Sequence, residues 1–167
     1  MSVTVTWSND VTVAETLTSG VTGASNPIIR HNGFNAPKSG EAEVATLTAS
    51  TTPAATKVAE GNLALTAGAY TIDLTSLTGT NGASVTFNGL TVRNILIRNK
   101  GAAAMTFAKG ASNGYTGFGS AFSITIPSGG VMSLYTHTLS GAVGGSNKTI
   151  DVTGTGTQTF DIIVTAG

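Results

Sequence analysis

Apolar residues recur at every second position along much of this chain, a period that strands satisfy and helices do not. Val3, Val5 and Trp7 fall on one side of such a pattern with Thr4 and Thr6 opposite, and Val11 and Val13 continue it beyond a turn at Ser8-Asn9-Asp10. Tyr70, Ile72 and Leu74 alternate with Thr71, Asp73 and Thr75, and Phe122, Ile124 and Ile126 with Ser123 and Thr125. Ile150 with Val152, then Phe160, Ile162 and Val164, repeat it near the C-terminus. One apolar and one polar face per run is the pattern of antiparallel sheets that cover a core on one side and meet water on the other.

Turn residues punctuate these runs. Asn-Gly occurs at 32–33, 81–82, 88–89 and 113–114, and both residues tolerate the positive φ that tight hairpins need. The strongest hairpin signal is Val85-Thr-Phe87, Asn88-Gly89, Leu90-Thr-Val92. Pro127-Ser-Gly-Gly130 and Gly154-Thr-Gly156 separate further strands. Between Leu90 and Arg98 the alternation changes phase, since Leu90 and Val92 share one parity and Ile95 and Ile97 the other. A bulge near Arg93-Asn94, or a strand buried on both faces, accounts for it equally.

Thr52, Pro53 and Ala54 to Glu60 fit a short capped helix, and Lys57 to Leu65 fits a strand as well. Ser25 to Ser39, with Pro27, Gly33 and Pro37, reads as an irregular loop. With 167 residues and no cysteine, the chain is long enough to bury a core without metal or disulfide. These features predict an all-β fold, an antiparallel β-sandwich of the jelly-roll type, with closed barrels and immunoglobulin-like sandwiches as alternatives. A single domain over 1–167 is expected, with residues 1–55 as an N-terminal arm or added strands.

Charge is segregated along the sequence. No acidic residue lies between Asp73 and Asp151, a stretch holding Arg93, Arg98, Lys100, Lys109 and Lys148. The first 73 residues carry −3, this middle part +5 and the last 17 residues −2, which sum to zero. Surfaces of opposite sign are therefore available to meet within a subunit or between subunits. Arg93, Arg98, Lys100 and Lys109 are the candidate interface residues. A zero net charge argues against nucleic acid as the partner of this basic stretch.

Sets of residues that carry chemistry are hard to assemble. Gly110-Ala-Ser112-Asn-Gly114 matches the G-x-S-x-G nucleophile elbow in letters. The elbow, however, requires a following helix, and no carboxylate stands between Ser112 and His137. His31 and His137 are too far apart in sequence for a local metal pair. Asp73, Asp151 and Asp161 fall in the polar register of their strands. No catalytic residue, metal site or cofactor is expected. Tyr115 and Phe118, in a Gly-rich stretch, form a candidate platform for stacking on a sugar. Asn147-Lys-Thr149 is a formal glycosylation sequon. No run approaches the roughly 20 apolar residues that span a bilayer, and the first residues lack the charged and apolar regions of a secretory signal.

Three stretches taken in order, Ala67 to Gly82, Lys109 to Gly130 and Asn147 to Gly156, resemble small structural proteins of tailed bacteriophages that decorate or cement the head. The likeness covers roughly residues 57–167. It implies a non-enzymatic jelly-roll subunit of the virion, assembled in the host cytoplasm. Its partners would be copies of itself, often as a trimer, and the major capsid protein, with neither nucleic acid nor membrane. A receptor- or carbohydrate-binding module of a phage tail, or a tail or neck adaptor, is the alternative expectation.

Overall fold

The structure, a computed structural model, describes residues 3–8, 12–16, 28–32, 44–79, 82–136 and 141–167. The chain forms two compact units, one of Met1–Val5 with Leu47–Gly167 and the other of Thr6–Thr46. In the smaller unit β2 (Thr12–Thr16) pairs antiparallel with β3 (Ile28–Asn32). Another two-stranded sheet joins β1 (Val5–Ser8) to β4 (Val44–Leu47). The loop expected over Ser25–Ser39 thus contains a strand: β-branched Ile28-Ile29 suits pairing, and Thr12–Thr16 supplies the partner.

The larger unit is a β-sandwich. Its eight principal strands are β5 (Lys57–Ala64), β6 (Ala69–Asp73), β9 (Val92–Asn99), β10 (Met105–Lys109), β11 (Ser123–Ile126), β12 (Val131–Tyr135), β13 (Thr149–Thr153) and β14 (Thr159–Ala166). A small hairpin of β7 (Leu77–Thr78) and β8 (Ser84–Val85) accompanies them. The sheets run β11-β10-β13-β6 and β12-β9-β14-β5, antiparallel throughout. The pairs nest: β5 with β14, β6 with β13, β9 with β12 and β10 with β11. The chain is therefore one long hairpin with its tip between β10 and β11. It folds back so that β14 also meets β9 and β13 also meets β10.

The alternating apolar positions point between the sheets, as the sequence pattern requires. Ile95, Ile97, Phe160 and Ile162 of one sheet pack with Phe107 and Val152 of the other, all buried. The Phe107 and Phe160 rings meet edge to face at 5.4 Å. Each large side chain buried in this way contributes about 1.5–3 kcal/mol relative to exposure. The phase change in β9 is resolved as a bulge: Thr165 pairs with Asn94 and Ala166 with Val92, leaving Arg93 as the extra residue. Val92 is thereby returned to the buried face with Ile95 and Ile97.

Of the two readings of the stretch after Pro53, the strand is the one formed: residues 57–64 make eight register pairs to β14, which outweigh a marginal helical propensity. Upstream, Thr51 makes the local turn bonds, its Oγ1 donating to the Pro53 carbonyl at 2.7 Å. Asn88-Gly89 does form a turn, with Gly89 at φ 78° and the Leu90 N–H donating to the Phe87 carbonyl at 2.8 Å. It does not join a hairpin, since β8 pairs with β7, and β9 pairs with β12 and β14. Phe87, fully buried, anchors the chain at that point and lets it arch away.

Candidate functional site

The four candidate interface cations do not form one patch. Arg98 and Lys100 stand exposed at the end of β9, on or beside the outer face of β12-β9-β14-β5. Arg93 occupies the bulge at the opposite end of β9, half-buried, and its buried Nε has no hydrogen-bond partner among the described residues. Lys109 is exposed at the end of β10 in the other sheet. Among the described residues the segregated charges meet within the subunit at two points. Lys148 lies 2.7 Å from Asp73, and Lys100 lies 3.5 Å from Asp161.

Burial opposes ionisation of Asp73, but hydrogen bonds from Lys148 and from the Thr75 hydroxyl and N–H outweigh it and hold the carboxyl below its usual range. The Asp161 carboxyl is also lowered, first by the Asn62 amide at 2.7 Å, then by Lys100 and Arg98 against slight desolvation. Asp151 accepts from the Thr71 hydroxyl and the Ala111 N–H, each at 2.8 Å.

Tyr115 and Phe118 are not an exposed pair. Tyr115 is fully buried, and its hydroxyl accepts the Val92 N–H at 3.3 Å. Burial raises its phenol above the usual value, the Val92 bond opposing this. A ring held there fills the core and offers no face to a sugar. Phe118, half-buried, bridges Tyr115 and Phe122 edge to face at 5.3 and 5.4 Å.

The G-x-S-x-G letters have a packing explanation. A Cβ on Gly114 would lie 2.1 Å from the Gly110 carbonyl oxygen, so the turn closes only with glycine. No helix follows, and the Ser112 carbonyl accepts the Thr149 hydroxyl. His137 lies outside the described residues, and His31 lies on β3. The sequon residue Asn147 is a clamp, its Oδ1 accepting the Thr116 N–H at 2.7 Å and its amide donating to the Ala142 carbonyl at 2.9 Å.

Two surface features went unread in the sequence. On the outer face of β12-β9-β14-β5, Ile163 (41% exposed) is in register with Leu96, and Val131 (58% exposed) with Arg98. These apolar side chains form a diagonal bordered by Arg98 and Asp161. Alternation predicted polar residues there, and only the register reveals that the exceptions adjoin. The second feature is a cleft of about 480 Å³ where the sheets part between β5 and β6. Leu63, Ile72, Ile162 and Val164 line its floor, with Glu60, Asn62, Asp73, Ser76 and Thr78 among the polar residues around them. A smaller cavity of about 220 Å³, lined by apolar residues including Phe118, Phe122 and Ile124, opens between the sheets towards β11 and β12.

Compared with known protein families, curated proteins and solved structures, the chain matches none.

Proposed function

We propose that this chain is a non-enzymatic structural subunit of a phage particle, a head-decoration or cement protein that associates with copies of itself, as a trimer, and with the major capsid protein. The observation that carries the reading is the apolar diagonal Ile163–Leu96–Val131 on an otherwise solvent-facing sheet, edged by Arg98, Lys100 and Asp161. Adjoining exposed apolar side chains with a charged border are the makings of an association surface. The nested strand pairs support the jelly-roll reading, because two interleaved Greek keys produce this order. The resemblance of residues 57–167 to phage decoration proteins points the same way. Many copies, each contributing an ordinary interface of about 1,600 Å², hold a shell together without exceptional affinity at any one contact.

Size-exclusion chromatography with light scattering tests this. A trimer that weakens with salt is expected, and Val131→Lys should dissociate it. A protein that stays monomeric at every concentration and salt level would overturn the association reading.

A further inference from the structure

We infer that the cleft between β5 and β6 is a binding site for a neutral saccharide. The inference starts from Gly61. This glycine sits in the middle of β5, where it weakens a strand, and such a residue marks a bulge or a place where a ligand or another backbone comes close. No bulge is present: the β5–β14 register runs unbroken from Lys57 to Ala64. The fold does not require glycine there either. Its φ is not in the left-handed region, and an added Cβ would meet only Leu63 side-chain carbons, at 3.4 and 3.6 Å. What the missing side chain does leave is space, since Gly61 lines the cleft.

The lining fits a sugar ring. A volume of about 480 Å³ falls in the range of small-ligand sites. Leu63, Ile72, Ile162 and Val164 provide an apolar floor for the C–H face of a pyranose, and Tyr70 adds an aromatic ring braced edge to face on Phe160 at 5.8 Å. Ser76 and Thr78 bring hydroxyls that donate and accept, while Glu60 and Asn62 border the cleft from the outer face of β5, where the Asn62 amide is held by Asp161. Asp73 is already engaged by Lys148 and Thr75, so its charge is compensated and it offers no free contact. Among the described residues no Lys or Arg lines the cleft. A phosphorylated or carboxylated ligand would therefore find no free cation, with Lys148 committed to Asp73 and the Glu60 carboxylate at the border, which favours an uncharged polyol.

The cleft lies on the inner side of β5, where Gly61 faces, and the apolar diagonal on the outer face, where Glu60 and Asn62 adjoin Ile163 and Asp161; a change at Gly61 therefore lets either reading fail alone. The test is saturation-transfer NMR with glucose, galactose, mannose, N-acetylglucosamine, lactose and maltose, with glucose 6-phosphate as the anionic comparison. At least one neutral sugar should receive saturation, and glucose 6-phosphate should receive less than glucose. Gly61→Val should weaken that binding at least tenfold while leaving the melting temperature unchanged or higher and the oligomeric state intact. Ser76→Ala should weaken it several-fold. A panel without binders, or equal binding by Gly61→Val, would overturn the assignment, as would preference for the phosphorylated sugar.

Discussion

The two ends of the sandwich are built differently. At one end the connections are the short segments 65–68, 100–104, 127–130 and 154–158; at the other they are the long segments 74–91, 110–122 and 136–148. The short end is closed largely by backbone, as where Gly68 N–H meets the Gly156 carbonyl at 2.7 Å and Gly154 N–H meets the Gly68 carbonyl at 2.9 Å. Side chains supplement it: the Ser128 hydroxyl donates to the Gly101 carbonyl at 2.7 Å, Gln158 donates to the Ala103 carbonyl at 3.1 Å, and Asn99 is the most deeply placed. Asn99, fully buried, donates to the carbonyls of Ala103, Ile126 and Pro127 and accepts the Gly101 N–H. At the long end backbone bonds such as Gly89 N–H to the Val143 carbonyl at 2.8 Å are joined by side chains reaching across the sequence: Tyr115 to Val92, Asn147 to Thr116 and Lys148 to Asp73. Short turns need little beyond their own backbone, whereas long loops must be tied down residue by residue.

If the Asn99 amide leads the closure of the short end, removing it should have the largest effect of any single polar change. Asn99→Ala takes the side-chain partner from the Ile126 carbonyl and the Gly101 N–H, while the Ala103 and Pro127 carbonyls keep the Gln158 amide and the Gly130 N–H. At about 1–3 kcal/mol per buried orphan, partly recovered by water, the loss should reach about 2–4 kcal/mol in denaturant unfolding. A loss below about 1 kcal/mol would mean that the turns stand without it. At the long end the ties are more numerous and each is weaker. Tyr115→Phe keeps the ring and removes the hydroxyl that accepts the Val92 N–H, and should cost about 1–2 kcal/mol. Equal losses for the two variants would erase the proposed difference between the ends.

The Asp73–Lys148 tie adds a pH dependence. Because the folded carboxyl titrates below its unfolded value near 4, its stabilisation is present above that value and is lost as pH falls through the lower folded one. Calorimetry from pH 6 to 2.5 should show a melting temperature falling below about pH 4, and Asp73→Asn should flatten part of that fall. At pH 7 the variant should cost about 0.5–1 kcal/mol, the scale of a partly exposed ion pair.

The same contrast explains what was legible in the sequence. Alternation identified β6, β13 and β14, and the phase change in β9 marked an irregularity near Arg93-Asn94 that the β14 register resolves as a bulge at Arg93. The turn residues marked reversals at 88–89, 127–130 and 154–156. They carry no information on whether the next strand returns to the same sheet or crosses to the other one. Among the eight sandwich strands, β10 and β11 alone are both consecutive and paired, and a long loop joins them. The Asn88-Gly89 signal misled for that reason. Tyr115 misled differently: its glycine neighbours suggested an exposed loop, but this loop folds inward to seal the core. Asn99 left no mark in the pattern, because a buried amide shows only when its distant carbonyls are in place. The cleft depended on Gly61, which reads as an ordinary break in alternation until the unbroken register removes the bulge explanation.

The smallest expected effect on stability belongs to the surface where association is proposed. Lys100 and Asp161 are 3.5 Å apart with side chains 43% and 37% exposed, a geometry worth about 0.5 kcal/mol or less. Arg98→Ala with Lys100→Ala should therefore leave the melting temperature within about 2 °C of the parent. The same double variant should weaken self-association and flatten its dependence on salt, since it removes the cations beside the Ile163–Leu96–Val131 diagonal. An unfolded variant would place these cations among the ties that hold the sandwich. A stable variant that assembles normally would leave the apolar diagonal as the whole of the contact. Stability and association separate cleanly only if the sheet beneath is held by its core and its two ends, with its outer face left to meet another molecule.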